Sequence, residues 1–362
     1  MAKTPMMAKL LKQAAKMDDA MGQLSDEGIG EKNILCPMEV PLLNIANSGR
    51  IDGGLVEGIK MIVGDSRCYK SGFLVMDAVA FLKHDPEAIV IFADSEKGAS
   101  KPLWEQYGAD MDRVLYTPVY TVEDMIQKVT QLLDMFEPGQ KVMLVIDSLG
   151  LLASNKEKND ALAGESKADF TRAKAINSFW RITLGYVNHL RMPVSYINRG
   201  YDDMANQYAE LIIGGGKNTK LSADVIWNIS RSQIKDGKEL VGWSFNIGIY
   251  KSRHCVEKVK LPVEIFYDGG IAKWSGLLEI ARLLGFVDMP SSGWYAYTEK
   301  AGFGTDVKKH RKADMDADFW MPLLENPDFI DAVNARFELH NKNRVIMTTE
   351  DVERLTNMQA DD

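Results

Sequence analysis

The sequence predicts an α/β fold, a mostly parallel sheet with helices on both faces, and three observations predict it. From about residue 37 to residue 268, short β-branched runs alternate with helix-period segments, the pattern of a parallel sheet buried beneath its crossover helices. The run at 59–63 leads straight into a loop ending in Lys70-Ser71 and then into an apolar helical stretch. The run at 142–146 is apolar throughout and ends in Asp147, so it delivers a carboxylate to the edge where open α/β sheets bind ligands.

Each element follows from local pattern. Near the start of the chain Lys3, Lys9, Lys12 and Lys16 precede any acid, while Met6, Leu10, Leu11 and Ala14 fall on related faces of a helix. Without Arg, Ser or a small-residue cleavage pattern, residues 1–20 read as an amphipathic docking helix and not as a transit peptide. Residues 22–32 are polar and turn-rich, a linker. Strands are expected at 59–63, 88–93, 142–146, 194–197 and 225–229, and the runs at 244–250 and 261–267 form a hairpin that extends the sheet. From 276 onward the pattern is helical, at 277–284 and 329–340, around a turn-rich aromatic patch, Gly293-Trp294-Tyr295. The polar, net acidic stretch 348–362 reads as a poorly ordered tail. The organisation expected is a helical arm and linker (1–35), an α/β core (36–270), a small C-terminal α+β region (271–345) and an acidic tail (346–362).

Composition excludes several classes. The 362 residues are 46% hydrophobic and 26% charged, with 29 Gly and 12 Pro, which rules out global disorder and collagen-like repeats. The longest apolar runs are strand-length, far short of the roughly 20 residues that cross a bilayer, so no membrane is expected as a partner. Cys36, Cys68 and Cys255 lie far apart with no CxxC spacing; neither a disulfide framework nor a zinc site is readable, and a reducing cytoplasm is the compartment expected. With 43 Lys and Arg against 51 Asp and Glu, the net charge of -8 makes no global electrostatic case for nucleic acid, so such binding has to be local.

The first local site is Gly64-Asp65-Ser66-Arg67-Cys68-Tyr69-Lys70-Ser71, followed by Gly72. A loop between a buried strand and a helix N-terminus can wrap its N–H groups around phosphates, with Lys70 reaching the β and γ phosphates and Ser71 binding Mg2+. It departs from G-x-x-x-x-G-K-[ST] at Tyr69, which stands where a second glycine belongs and is less at ease in unusual backbone angles. Asp147 would add a carboxylate to the magnesium shell. The run at 88–93 ends in Asp94-Ser95-Glu96, and Glu96 is placed to polarise the water that attacks the γ phosphate. Two long segments leave the same edge: 150–169, with Lys156 and Lys158, and 200–221, with Gly214-Gly215-Gly216-Lys217. Loops of that length inside a compact domain are functional or disordered, and their glycines and lysines suit a phosphate backbone. Lys251 and Arg253, alternate residues near a strand end, are either surface charge or reach a phosphate.

The order of these pieces resembles the RecA-type recombinases, and most closely the UvsX recombinases of T-even-like bacteriophages. The resemblance spans about 40–340 and rests on the stretch 40–49, the phosphate loop with an aromatic before its lysine, Asp94-Ser95-Glu96, and Ile146-Asp147-Ser148-Leu149-Gly150. It continues through Gly214-Gly215-Gly216, Gln233-Ile234-Lys235-Asp236-Gly237, Lys251-Ser252-Arg253, Phe266-Tyr267-Asp268-Gly269-Gly270-Ile271, Ser275-Gly276-Leu277-Leu278 and Gly293-Trp294-Tyr295. It implies a RecA-like P-loop ATPase core in a strand-exchange protein that polymerises as a helical filament on single-stranded DNA. Such a protein pairs that strand with a homologous duplex and hydrolyses ATP as filaments turn over.

The resemblance also implies roles. Glu96 is similar to the family's water-activating glutamate, and Trp104 to an aromatic that stacks on adenine. Segments 151–169 and 200–221 are similar to the first and second DNA-binding loops, and Arg172 to a phosphate-contacting arginine. Arg199 stands where related proteins carry a Gln or His that senses the γ phosphate, so it is expected to pair with phosphate or with Glu96. Lys251 and Arg253 match two cations that enter the ATP site of the adjacent protomer, and the N-terminal helix matches the arm that packs on that neighbour. A phage single-strand-binding protein and a loading mediator are the further partners implied, in the cytoplasm of the infected bacterial host. Two other readings share the core: a hexameric RecA-fold DNA helicase motor, and a non-hydrolysing single-strand-binding scaffold in which Tyr69 and Arg199 mark a decayed site. The short stretch before the core weighs against the first, and the intact Lys70, Ser71, Glu96 and Asp147 against the second.

Overall fold

The computed structural model describes residues 5–17, 34–165, 171–201, 211–304 and 308–339. After helix α1 (Pro5–Ala14), strands β1 (Ile34–Cys36) and β2 (Leu55–Val56) pair antiparallel around helix α2 (Pro41–Ser48). The core then runs β3 (Gly58–Gly64), α3 (Lys70–His84), β4 (Ile89–Asp94), α4 (Lys101–Gln106), β5 (Val114–Pro118), α5 (Val122–Leu133), β6 (Val142–Asp147), α6 (Asn155–Leu162), α7 (Thr171–Leu190) and β7 (Pro193–Ile197). A short antiparallel pair, β8 (Gly200–Tyr201) with β9 (Ile212–Ile213), and helix α8 (Lys217–Ser222) lead to β10 (Val225–Asp236), β11 (Glu239–Ser252), β12 (Lys260–Phe266) and β13 (Gly270–Ile271).

One nine-stranded sheet has the order β13-β12-β11-β10-β3-β7-β6-β4-β5. Neighbours from β10 through β5 are parallel, and those from β10 through β13 are antiparallel. This is the α/β architecture expected from the alternating runs, with the phosphate-loop strand β3 in the middle. Strand alternation divides the core between the two faces. Ile59, Met61 and Val63 pack with Met125 of α5 and Phe179 and Trp180 of α7, while Ile62, Val90 and Phe92 pack with Phe73 and Leu74 of α3. Lys60 is the polar exception on β3. It forms a buried ion pair with Asp77 of α3, its ammonium lies 3.9 Å from the centre of the Trp227 ring, and it donates to Asn47 Oδ1 at 3.0 Å.

The C-terminal region comprises α9 (Leu277–Leu283), a hairpin of β14 (Val287–Ser291) and β15 (Trp294–Tyr297), α10 (Ala317–Leu324) and α11 (Pro327–Phe337). Gly293, with φ +72, turns the hairpin, and Asn326 caps α11 by accepting from the Asp328 N–H at 2.9 Å. Asn334 of α11 accepts from the Ile51 N–H at 3.0 Å, which ties this region back to the core.

Several elements differ from the sequence reading. Edge strand β5 was not expected, because its five residues are largely exposed and end in Pro118. Strand β10 continues past 229 to Asp236 and turns into β11 at Gly237, where φ is +58. Segment 150–169 is not irregular throughout: Ser154 caps α6 by accepting from the Glu157 N–H at 2.9 Å, and Lys156 pairs with Asp160 one turn on at 2.8 Å. In segment 200–221 the described residues form β8, β9 and α8. The linker at 22–32, the tail at 348–362, and residues 166–170 and 202–210 of the two long segments lie outside the described residues. Among the described residues no helix is long and apolar enough to cross a membrane.

Candidate functional site

The candidate site lies where β3, β4, β6 and β7 end. At the end of β3, Gly64 has φ +143, and a Cβ there would stand 2.3 Å from the Ile229 carbonyl oxygen of β10, so only glycine fits. The loop that follows contains no further glycine before Gly72, yet Arg67 and Tyr69 both take left-handed backbone angles, φ +63 and +56. Each costs about 1–2 kcal/mol for a residue with a Cβ. For Tyr69 the cost is offset by its ring, which packs 5.4 Å from Phe245 and 5.8 Å from Phe73. Its phenol hydrogen-bonds the phenol of Tyr107, and burial pushes the pKa of both up, so both keep their protons. The substitution of tyrosine for glycine therefore leaves a formed loop.

Lys70 opens α3 and folds back into the loop, donating to the carbonyls of Gly64 at 2.9 Å and Asp65 at 2.6 Å. Ser71 Oγ donates to Asp147 Oδ2 at 2.7 Å, joining the loop to the end of β6 across the intervening β7. Burial raises the Asp147 pKa to about 6, with the Ser71 hydrogen bond acting against it and the nearby Glu96 and Asp94 adding to it. A hydroxyl beside a buried carboxylate that ionises reluctantly is a donor set that a hard cation relieves, so Ser71 and Asp147 fit Mg2+. The backbone at Gly98 passes close over this pair: a Cβ there would be 3.0 Å from Asp147 Oδ2 and 3.1 Å from Ser71 Oγ.

Asp94 and Asp147 are register partners on the adjacent strands β4 and β6. Asp94 Oδ1 accepts from the N–H groups of Glu96 at 3.0 Å and Lys97 at 2.7 Å, which turns the chain so that Glu96 faces β6. There Glu96 Oε1 accepts a hydrogen bond from Ser148 Oγ, and Ser95 Oγ donates to the Ser148 carbonyl at 2.8 Å. The Asp147-Ser148 peptide is cis. Ser95, Gly98 and Ser148 were missed in the sequence reading; their adjacency to strand-end acids was the available signal.

One expectation is corrected. Trp104 does not present an open face for adenine: it is 4% exposed, lies 5.3 Å from Phe92 in the core and donates its N–H to the Ala99 carbonyl at 3.2 Å. It walls a cavity of about 420 Å³ whose other side includes the exposed Tyr116. Arg199 is exposed beside Gly150, where a Cβ would be 2.9 Å from the Arg199 Cγ, while Glu96 accepts from Ser148. Arg172 braces the first loop, donating to the carbonyls of Leu152 at 2.6 Å, Gly150 at 3.0 Å and Leu149 at 3.3 Å.

In the second loop Asn198 Nδ2 donates to the Gly214 carbonyl at 2.8 Å, and Gly215 and Gly216 take φ +92 and +86 before Lys217 begins α8. The glycines thus form a turn held from both sides, since Thr219 Oγ1 also donates to the Gly215 carbonyl at 2.9 Å. Lys158 lies exposed on α6, and Lys156 is held by Asp160. Lys251 donates to the carbonyls of Ala223 at 2.6 Å, Lys220 at 3.0 Å and Leu221 at 3.2 Å, while Arg253 pairs with Asp224 at 3.0 Å. The structure therefore brings Lys70, Ser71, Glu96 and Asp147 together and keeps Lys251 and Arg253 apart from them.

Residues 274–333 match the family model described as bacteriophage T4 recombination and repair protein, C-terminal domain. The chain is 37% identical over 306 residues to the recombination and repair protein of Enterobacteria phage T4, covering 83% of this chain and 78% of that protein. It is 25% identical over 230 residues to the protein RecA of Acholeplasma laidlawii, covering 62% of this chain and 67% of that one. Against the protein RecA of Chlorobaculum tepidum the figures are 27% over 267 residues, 72% and 75%. With the nucleotide edge of a RecA-like core and this identity over most of its length, the chain belongs to the UvsX family of phage recombination and repair proteins, within the wider RecA-like recombinases.

Proposed function

We propose that this chain is a DNA-dependent ATPase that assembles as a helical filament on single-stranded DNA and exchanges that strand with a homologous duplex. The observation that carries the reading is the convergence of Lys70, Ser71, Glu96 and Asp147 at one sheet edge, from which both long loops also leave. In this reading Lys70 moves from the loop carbonyls to the β and γ phosphates, and the loop 64–72 cradles them with its N–H groups. Magnesium held by Ser71 and Asp147 supplies neutralisation of phosphate charge when bound. Glu96 takes the proton of the attacking water, with Ser148 aiming its carboxylate. Arg199, exposed at the root of the second loop, senses the γ phosphate and passes its presence to that loop. Lys156, Lys158, Lys217 and the turn at Gly214, Gly215 and Gly216 contact the DNA backbone, and Arg172 holds the first loop in place for it.

Lys251 and Arg253 act on the next protomer's nucleotide in this reading. Gly64 pairs with Ile229, whereas Lys251 pairs with Ile226, on the far side of β10. At about 3.3 Å per residue that level is roughly 10 Å below the phosphate loop, which supports a role outside the chain's own site. Helix α1 leaves Met6 and Leu10 exposed, at 63% and 51%, which supports the arm 1–35 as a packing element for a neighbour. Residues 36–270 then form the ATPase core, 271–345 the small C-terminal domain and 346–362 the acidic tail.

The test is ATP hydrolysis by the purified protein with and without homopolymeric single-stranded DNA, with duplex DNA as control. Strong stimulation by the single strand and filaments in electron micrographs are expected. No turnover under any condition would move the reading to a binding scaffold, and closed rings to a helicase motor.

A further inference from the structure

The phosphate loop of this chain adopts left-handed angles at two residues that are not glycine, so something outside the loop has to hold it. The β10–β11 hairpin does so. Arg231 and Phe245 are directly opposite in the ladder, and Trp243 is the diagonal neighbour of Arg231 on the same face. Phe245 meets the Tyr69 ring at 5.4 Å. Arg231 Nη1 donates to the carbonyl of Arg67 at 3.1 Å, and its guanidinium lies 4.1 Å from the centre of the Trp243 ring. Trp243 is fixed in turn by donating its N–H to the Tyr267 hydroxyl at 2.9 Å.

We propose that Arg231, seated on Trp243, is a positioning residue for the phosphate loop, holding the strained Arg67 peptide in the conformation that receives nucleotide phosphates. A loop shaped by its own glycines needs no such support. Here the two strained residues are each gripped from the same hairpin, Arg67 through its carbonyl and Tyr69 through its ring. The planar guanidinium can stack on indole and donate to a carbonyl at once, which an ammonium does less well. The hairpin strands are the same two that carry Ile226 and Lys251 at their other end, so the loop support and the cations offered to a neighbour share one two-stranded ribbon. The inference rests on the ATPase reading above and adds a residue to it.

The experiment measures binding of a fluorescent ATP analogue with Mg2+, together with ATP turnover and thermal melting, for the full chain. Arg231→Ala and Trp243→Ala are expected to weaken nucleotide binding about ten-fold, the loss of one charge-assisted hydrogen bond, and to raise KM with little change in kcat. For Arg231→Ala the melting temperature should stay within about two degrees, because its contact lies at the surface, whereas Trp243→Ala also loses packing against the core and is compared by its nucleotide affinity well below its own melt. Arg231→Lys should recover part of the affinity, and Lys235→Ala, an exposed position on the same hairpin, should bind as wild type. Wild-type affinity in both Arg231→Ala and Trp243→Ala overturns this inference alone. A wild-type chain that binds no nucleotide overturns the ATPase reading and this inference with it.

Discussion

The ring of Tyr69 occupies the space that a side chain on Gly72 would need: a Cβ on Gly72 would stand 2.1 Å from Tyr69 Cε1. With tyrosine at the second-glycine position of the phosphate-loop pattern, glycine is required three residues along, in the first turn of α3. Gly72→Ala should therefore destabilise the protein by about 1–3 kcal/mol through overpacking, although alanine otherwise favours a helix. In a Tyr69→Gly background, which itself loses the ring packing on Phe73 and Phe245, adding Gly72→Ala should cost nothing further. Thermal melts of the three variants check it, and independent, additive effects would show that the two residues do not share this space.

Glu96 is held by Ser148 on the neighbouring strand, so its placement depends on a second residue. Glu96→Gln should keep nucleotide and DNA binding while lowering turnover at least a hundred-fold, in the range of a lost general base. Ser148→Ala should lower kcat by about ten-fold with KM near wild type, since it disturbs only the aim of the carboxylate. Single-turnover kinetics on DNA-bound protein separates these outcomes. Normal hydrolysis by Glu96→Gln would remove Glu96 from the chemistry.

How legible this site was depended on how local each contact is. Glu96, Asp147 and Lys70 could be read because each sits at the end of an apolar strand or the start of a helix, a position visible in a few consecutive residues. Ser148, Gly98 and Tyr107 could not, because their roles arise from the register that sets Asp94 beside Asp147 and from a phenol pair 38 positions apart. Strands β3, β4, β6 and β7 were readable since both sheet faces are covered and the runs are apolar. Strand β5 was not, with Leu115 and Tyr116 facing outward at the edge. Trp104 misled for a related reason: the aromatic stands at the expected position, but its ring is spent on Phe92 and the core.

Asp147 makes the metal-free chain sensitive to pH. Its pKa is raised by burial from the ordinary 3.8 to about 6, so between these values the folded chain holds a proton that the unfolded chain has lost. The stability Asp147 contributes is thus lost as pH rises through 6, a penalty of up to about 3 kcal/mol. Without Mg2+ or nucleotide, Asp147→Asn should melt higher than wild type at pH 8 and about equal to it near pH 4. Adding Mg2+ with an ATP analogue at pH 8 should raise the wild-type melting temperature and leave the variant nearly unmoved. A variant that melts no higher at pH 8 would mean the carboxylate is ionised at no penalty.

Arg253 pairs with Asp224 in its own chain, but the guanidinium is 58% exposed, and Asp224 is also held by accepting from the Ile59 N–H at 2.9 Å. Asp224 is itself buried and keeps the Ile59 N–H when the arginine is removed, so Arg253→Ala should cost about 1–3 kcal/mol and leave the protein folded. Its effect should appear in the assembly: slower turnover on single-stranded DNA and weaker filament formation, read by light scattering. The decisive measurement is mixing. An Arg253→Ala protomer retains its own Glu96, and a Glu96→Gln protomer retains its Arg253, so where the second offers its cation to the first one complete site forms. In a random equal mixture roughly a quarter of head-to-tail interfaces have that composition. Each variant alone should be nearly inactive, and the mixture should recover about that share of wild-type turnover. If Arg253 served its own chain's nucleotide, no mixed interface could be complete, and the mixture would stay as inactive as its parts.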